Sequence, residues 1–238
     1  HSDMFPALAI SFDVILLVVW GIVTWCVAGE GGFGAAVSCL VIIISGLVAM
    51  NYFEPFAAFA QSNLISSGAW SYRWDVIMLV GLFVGLVFGL RALMEKLSPR
   101  YIEMNGLTHD IGRWSSGLIA GYVTMAFLLT ALHTAPLQRN FMEFRPERAN
   151  LFGIIAPDRQ WLGFTQYASE SLFASGRIFD GPVSDFIDDQ ADDNRNTIWP
   201  SFPIRYASRR EKFEAGGLIT APTVAPAEST IQQGSGSG

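Results

Sequence analysis

Charge is the scarcest property of this 238-residue chain, in which charged residues make up only 15%. In a soluble protein roughly a quarter of the residues are charged. No lysine or arginine precedes Arg73, and the formal net charge is -6. The sequence therefore excludes a basic nucleic-acid-binding protein. Hydrophobic residues make up 51% of the chain, and residues 1–135 have too few charges to cover them in water.

Cysteine and catalytic motifs are scarce too. The only two cysteines, Cys26 and Cys39, lie in apolar runs, which excludes a disulfide scaffold. The sequence has no nucleophile motif, P-loop, dinucleotide fingerprint or zinc-ligand spacing, so we predict no enzymatic activity and no cofactor. His109 and His133 are 24 residues apart. On one helix that is about 36 Å, too far for one chain to place both on a haem iron, so a redox subunit is the weakest hypothesis.

Long apolar runs fill the first half of the chain. A helix needs about 20 mostly apolar residues to cross a bilayer. Four stretches meet or nearly meet this length, and they predict helices at residues 5–28, 31–53, 75–97 and 113–135. We therefore predict an all-α fold: a four-helix transmembrane bundle in residues 1–135 with a polar, partly helical C-terminal tail. The glycine-rich sequence between the first two helices predicts a tight turn.

The basic residues give a prediction of topology. Four spans place the connection between helices 3 and 4 on one side and both termini on the other, and each side carries four basic residues near the membrane. Long tails influence orientation less than short loops do. When the basic residues of the tail are discounted, the remaining ones predict that the connection between helices 3 and 4 is cytoplasmic and that both termini lie outside.

Glycines recur at a spacing of four in the last two predicted spans. They are Gly81, Gly85, Gly89, Gly117 and Gly121. This spacing places them on one face of each helix, where a second helix can approach closely. Two interpretations remain open: helices 3 and 4 pack together within one chain, or the glycines form an interface between subunits.

Asp13 is the only acidic residue set well inside an apolar run. An intramembrane carboxylate is a candidate for an ion or proton path, so Asp13 is a candidate intramembrane polar site. The 16 uncharged residues 14–29 nearly suffice as a span by themselves. An interfacial location for Asp13 is therefore favoured over a buried one.

Several weak motifs follow one another in a recognisable order. Asp13 precedes the run VILLVVWGIV, GEGGFG follows, and AMNYFEP ends the second span. Later, LTHDIGRWSSGLIAGYVTMAFLL places Asp110 before the glycines of the fourth span. This order resembles the colicin V production (CvpA) family of bacterial membrane proteins. The likeness covers about residues 10–137. One departure is that the family usually has arginines beside its Gly-Phe hairpin, whereas this chain has Glu30.

The resemblance implies a multi-pass protein of the bacterial inner membrane, linked to toxin production or export and to envelope homeostasis. It supplies no catalytic residues. Combined with the charge distribution, it implies that both termini are periplasmic, although the missing arginines remove the charge that would fix the hairpin in the cytoplasm.

The tail, residues 136–215, contains one amphipathic segment at 158–175. It begins after Pro157 with Asp158 as a candidate N-cap, and Trp161, Phe164 and Leu172 lie on its apolar face. This helix is predicted to contact the membrane surface, a partner or the rest of the tail. The acidic cluster from Asp185 to Asp193 lacks the central glycine and closing glutamate of a calcium loop, so a solvated segment is favoured. Residues 216–238 are predicted to be a disordered linker that ends in a Gly-Ser spacer.

Two functional hypotheses follow. The first is a non-catalytic scaffold or assembly subunit in the lipid bilayer, either a homo-oligomer or part of a membrane complex, with no nucleic-acid partner. The second is an oligomeric channel or transporter in which Asp13 lines an ion or proton path.

Overall fold

The computed structural model describes residues 4–63, 68–97, 106–137, 149–172, 202–203 and 206–207, and side chains are described from residue 12 onward except 68–72, 170 and 172. Within these ranges the chain is 90% helical and contains no strand, which confirms the predicted all-α fold. The acidic cluster and the predicted linker lie outside the described residues.

Four long helices and one short one follow in chain order. They are α1 (Met4–Ala28), α2 (Gly31–Asn63), α3 (Gly68–Leu97), α4 (Gly106–Thr134) and α5 (Pro157–Tyr167), the last continuing as a π-helical turn over Ala168–Leu172. The whole of α2, the Arg73–Leu97 part of α3 and the whole of α4 are long and apolar enough to cross a membrane, and Phe12–Ala28 of α1 is a shorter apolar helix. These lengths and compositions indicate a membrane protein.

The helices extend further at their polar ends than the sequence predicted. Helix α2 does not end at residue 53 but continues through Pro55 to Asn63, and α3 and α4 begin at Gly68 and Gly106. Apolarity marks the hydrocarbon layer rather than the end of the backbone helix, because polar residues can continue a helix in the interfacial region. Pro55 removes one backbone N–H but does not end α2.

Helix α2 lies at the centre of the bundle, between α3 and α4, and α1 packs mainly along α4. The main core is formed by buried residues of α2, α3 and α4, including Met50, Phe53, Leu79 and Phe127. A smaller cluster joins α1 and α4 through residues such as Leu16 and Leu129.

The turn between α1 and α2 has two residues, which confirms the tight turn predicted from the glycine cluster. Gly31 has a φ of +85°, which glycine adopts without steric cost, and a Cβ there would lie 3.1 Å from His109 Nε2. Glu30 forms an ion pair with Arg91 near the end of α3 and accepts a hydrogen bond from the Ser38 hydroxyl. Glu30 thus connects the hairpin to α3.

Candidate functional site

The two glycines of α4 lie against α1. A Cβ at Gly117 would come within 2.8 Å of the carbonyl oxygen of Thr24, and one at Gly121 within 2.7 Å of the carbonyl oxygen of Trp20. The indole nitrogen of Trp20 donates a hydrogen bond to the carbonyl oxygen of Leu118, over 3.0 Å. The absent side chains therefore allow α1 to approach the backbone of α4 directly.

The three glycines of α3 have different surroundings. At Gly81, Gly85 and Gly89, an added Cβ would meet no atom of the described residues within 4 Å. Glycine-mediated packing of α3 against α4 thus does not occur at these described positions. The partner of the α4 glycines is α1, which spacing alone could not reveal because spacing identifies a face but not what covers it.

The outer face of α3 is not covered by any other described helix. In the most apolar window of α3 only 11% of the residues are buried, against 56% in α2 and 50% in α4. We call this surface the α3 outer face, and its members are Ile77, Gly81, Val84, Gly85, Phe88 and Gly89. Phe88, for example, is 69% exposed.

Helix α5 of the tail packs into the bundle. The Trp161 indole is 4% exposed and makes an edge contact with Phe127 of α4, with ring centroids 6.4 Å apart. A Cβ at Gly46 of α2 would lie 2.6 Å from Cζ2 of Trp161, so only glycine leaves room for the indole. Trp161 therefore contacts the chain's own bundle rather than a membrane surface or a separate partner.

The other two residues predicted on the apolar face of α5, Phe164 and Leu172, are not shown to be buried against the bundle as Trp161 is. Phe164 is 40% exposed, and its ring centroid lies 5.7 Å from that of Trp161. Leu172 ends the π-helical turn, and its side chain lies outside the described residues. The predicted contact of Phe164 and Leu172 with a partner or with the membrane surface stays a prediction.

A buried polar cluster fixes the start of α5 to the end of α4. His133 Nε2 lies 2.9 Å from Oδ2 of Asp158, and both side chains are fully buried. The Asn150 side-chain amide donates to the same oxygen over 3.1 Å. The other oxygen of Asp158, Oδ1, has no hydrogen-bond partner among the described residues. We call Asn150, His133 and Asp158 the α4–α5 polar cluster.

Sequence reasoning missed this cluster because it gave Asp158 a local role. The N-cap of α5 is Ala156, with Pro157 in the first turn and no side-chain cap, so the assignment of Asp158 as N-cap was wrong. His133 and Asp158 are 25 residues apart. The one available signal was that His133 is a polar residue at the end of an apolar helix and needs a buried partner.

Asp13 lies beside the loop that precedes α5. Its Oδ1 accepts a hydrogen bond of 3.1 Å from the backbone N–H of Phe152, and the Asp13 side chain is half-buried. Phe152 has a φ of +53°, which costs a non-glycine residue roughly 1–2 kcal/mol. The carboxylate therefore stabilises a loop conformation that the backbone alone disfavours.

Replacement of Asp13 tests this assignment. We expect Asp13→Ala to lower the free energy of unfolding by about 1 kcal/mol through loss of one hydrogen bond. Asp13→Asn keeps an acceptor oxygen and is expected to have the stability of the wild type. Thermal unfolding in detergent measures both. The prediction that Asp13 lines an ion path stays open, and a change in ion or proton flux of Asp13→Asn in reconstituted vesicles would support it over the loop-stabilising role.

The described residues contain no group of three or more His, Cys, Asp or Glu side chains placed to hold a metal ion. No family model matches the chain, and no curated protein or solved structure matches it significantly.

Proposed function

We propose that this protein is a non-catalytic scaffold or assembly subunit of the bacterial inner membrane, and that it associates with further copies of itself through the α3 outer face. The observation that carries the proposal is the contrast between the two sets of glycines. Those of α4 are covered by α1, whereas those of α3 form an equally spaced series beside which no atom of the described residues lies.

The apolar α3 outer face is suited to contact with another helix rather than with water. Its exposed side chains are apolar, as Val84 at 43% and Phe88 at 69% illustrate. Between them the glycines leave a flat strip in which backbones can approach closely. Helix association in membranes relies on such close packing, since lipid tails are as apolar as leucine and give no hydrophobic driving force.

The wider role is proposed from the resemblance to the colicin V production family, which associates the chain with toxin production or export and with envelope homeostasis. The basic residues support a topology in which both termini lie on the periplasmic side. A cysteine-accessibility map of the tail, made after replacement of Cys26 and Cys39, tests that topology.

Self-association is tested by filling the glycine strip. We expect Gly85→Leu to weaken the oligomer at least about tenfold, because the new side chain separates the two backbones at the centre of the contact. Oligomer dissociation in lipid bilayers, followed by energy transfer between labelled copies, measures the effect.

Gly21→Leu is the matched control. Gly21 lies on α1, where an added Cβ also meets no atom within 4 Å, but no glycine lies four residues before or after it. The control is expected to associate like the wild type. The proposal would be overturned by a wild-type protein that is monomeric at every density, or by equal association of both variants.

A further inference from the structure

The loop that precedes α5 exposes an apolar tip. The chain reverses tightly within residues 151–155, which we call the apolar loop. The side chains of Phe152, Ile154 and Ile155 are exposed, that of Ile154 to 81%. Residues 149–157 contain no charged residue. An exposed group of large apolar side chains without any charge is typical of a surface that contacts lipid or protein.

Helix α4 gives the depth of the apolar loop in the membrane. The charge-free run of α4 begins at Trp114, an interfacial type of residue, and the length that crosses the hydrocarbon layer, about 20 residues, ends at His133. Leu151, the buried residue of the loop, belongs to the same apolar cluster as Leu129 and Met125 of α4. These two residues lie four and eight residues before His133, or about 6 Å and 12 Å along the helix. The loop therefore packs beside the part of α4 that lies inside the hydrocarbon layer.

Helix α1 gives a similar depth independently. About 20 residues counted back from the end of α1 at Ala28 reach residue 9, so Asp13 lies four residues, or about 6 Å, inside that boundary. Asp13 Oδ1 accepts the hydrogen bond of the Phe152 N–H, which fixes the loop at the level of Asp13. Val14, the next residue of α1, is apolar and exposed. Both helices thus place the apolar loop just inside the hydrocarbon layer.

The backbone of the apolar loop is paired as a hydrocarbon environment requires. Non-helical backbone is tolerated at membrane depth only where the protein satisfies its polar groups. Four of the five N–H groups of the loop have an acceptor within the chain. Three of them donate to carbonyl oxygens of the loop itself, over 3.0–3.2 Å, and the fourth, that of Phe152, donates to Asp13 over 3.1 Å. In water none of these acceptors would be needed, whereas in lipid Asp13 supplies the one that the loop itself lacks.

We propose that the apolar loop is inserted into the leaflet at the C-terminal end of α4, where its tip contacts the part of the acyl chains close to the headgroups. The depth of the loop identifies what covers the tip, because an outward-facing surface of a bundle at that depth meets acyl chains. Asp13 is a positioning residue, which keeps the loop in the leaflet by accepting the Phe152 N–H. The inference requires only that the chain crosses the membrane, and it does not depend on self-association through the α3 outer face.

A spin label measures the depth of the tip. The full chain, with Cys26 and Cys39 replaced by alanine, carries Ile154→Cys as its only cysteine and is reconstituted at low density in phosphatidylcholine vesicles. Relaxation of the label by oxygen, which concentrates in the bilayer, is compared with relaxation by a water-soluble nickel chelate. We expect the label at residue 154 to respond several-fold more to oxygen than to the chelate.

Two exposed positions calibrate this measurement. Ile22→Cys lies in the middle of α1, where Ile22 is 57% exposed, and is expected to respond mainly to oxygen. Leu107→Cys lies seven residues before Trp114, where Leu107 is 75% exposed, and is expected to respond mainly to the chelate. A label at 154 that responds like the one at 107 would place the loop in water and overturn the proposal. A label that neither reagent reaches would show that protein covers the tip, which would overturn it as well.

Replacement of Asp13 tests what keeps the loop in the leaflet. In the Ile154→Cys protein we expect Asp13→Ala to raise the response to the nickel chelate about threefold, because the Phe152 N–H loses one hydrogen bond and gains its acceptor from water. Asp13→Asn keeps an acceptor oxygen and is the matched control, with the response of its parent. Ile155→Cys repeats the measurement at a second exposed position, and circular dichroism establishes that each variant folds. An unchanged response of Asp13→Ala would contradict the positioning role of Asp13.

Discussion

Gly121→Leu is expected to separate α1 from α4 and to lower the free energy of unfolding by about 3 kcal/mol or more. The reason is that the first carbon of the new side chain would lie 2.7 Å from a backbone oxygen of Trp20 and 2.5 Å from the hydroxyl of Thr24. A backbone atom cannot rotate away as a side chain can, so the whole of α1 would have to move. Unfolding in mixed detergent micelles, followed by circular dichroism and tryptophan fluorescence, measures the change.

Gly21→Leu serves as the control here too, because it adds the same side chain to α1 where no atom lies within 4 Å. Its stability is expected to equal or slightly exceed that of the wild type, since leucine favours a helix by up to about 1 kcal/mol over glycine. If the two variants unfolded at the same denaturant concentration, the direct contact between α1 and Gly121 would be contradicted.

Asp158→Ala is expected to destabilise the contact between α5 and the bundle by about 1–3 kcal/mol, because it removes the carboxylate oxygen that the buried His133 and Asn150 side chains contact. Its measurable consequence is release of α5. Trypsin should then cleave after Arg159 much faster than in the wild type, while the helices of the bundle remain intact. Asp110→Ala is a suitable control, since the Asp110 side chain is 64% exposed and surface ion pairs contribute little.

A double variant distinguishes loss of a polar pair from loss of packing. His133→Leu combined with Asp158→Leu replaces two of the three members of the cluster with apolar side chains and removes the oxygen to which Asn150 donates. Replacement of a buried pair by apolar residues is often neutral or stabilising. We expect the double variant to recover most of the protease resistance that Asp158→Ala loses. Cleavage of Asp158→Ala no faster than that of the wild type would show that the α4–α5 polar cluster does not hold α5 in place.

The part of the fold that the sequence predicts well is the part set by local composition. Runs without charge predict α1 to α4, because crossing a hydrocarbon layer leaves few choices of residue. The glycine-rich turn before Gly31 is predicted well for the same reason, because it depends only on residues that are neighbours in the sequence. Helices α2, α3 and α4 were predicted too short because the prediction used only the length of the apolar runs. The backbone helix continues into the polar residues beyond those runs.

The candidate sites were predicted poorly because each depends on a partner far away in the chain. The same apolar pattern on α5 suits a lipid surface, a partner or the bundle itself. Gly46 decides that α5 packs on the bundle, because it leaves room for Trp161. It is a single glycine in an apolar run, and no regular glycine spacing marks it in the sequence. Asp13 had a conspicuous sequence context and turned out to bond to a loop, whereas Asp158 had an ordinary context and is fully buried.

The pattern of helix contacts has a consequence for how the protein is made. Helix α1 packs far more on α4 than on its neighbour α2, so it completes its contacts only after α4 has been synthesised and inserted. Until then the Trp20 indole lacks the carbonyl oxygen of Leu118, and the space beside Gly46 is unfilled until α5 emerges from the ribosome. Helix α1, which is synthesised before the other described helices, is therefore among the last of them to become fully packed.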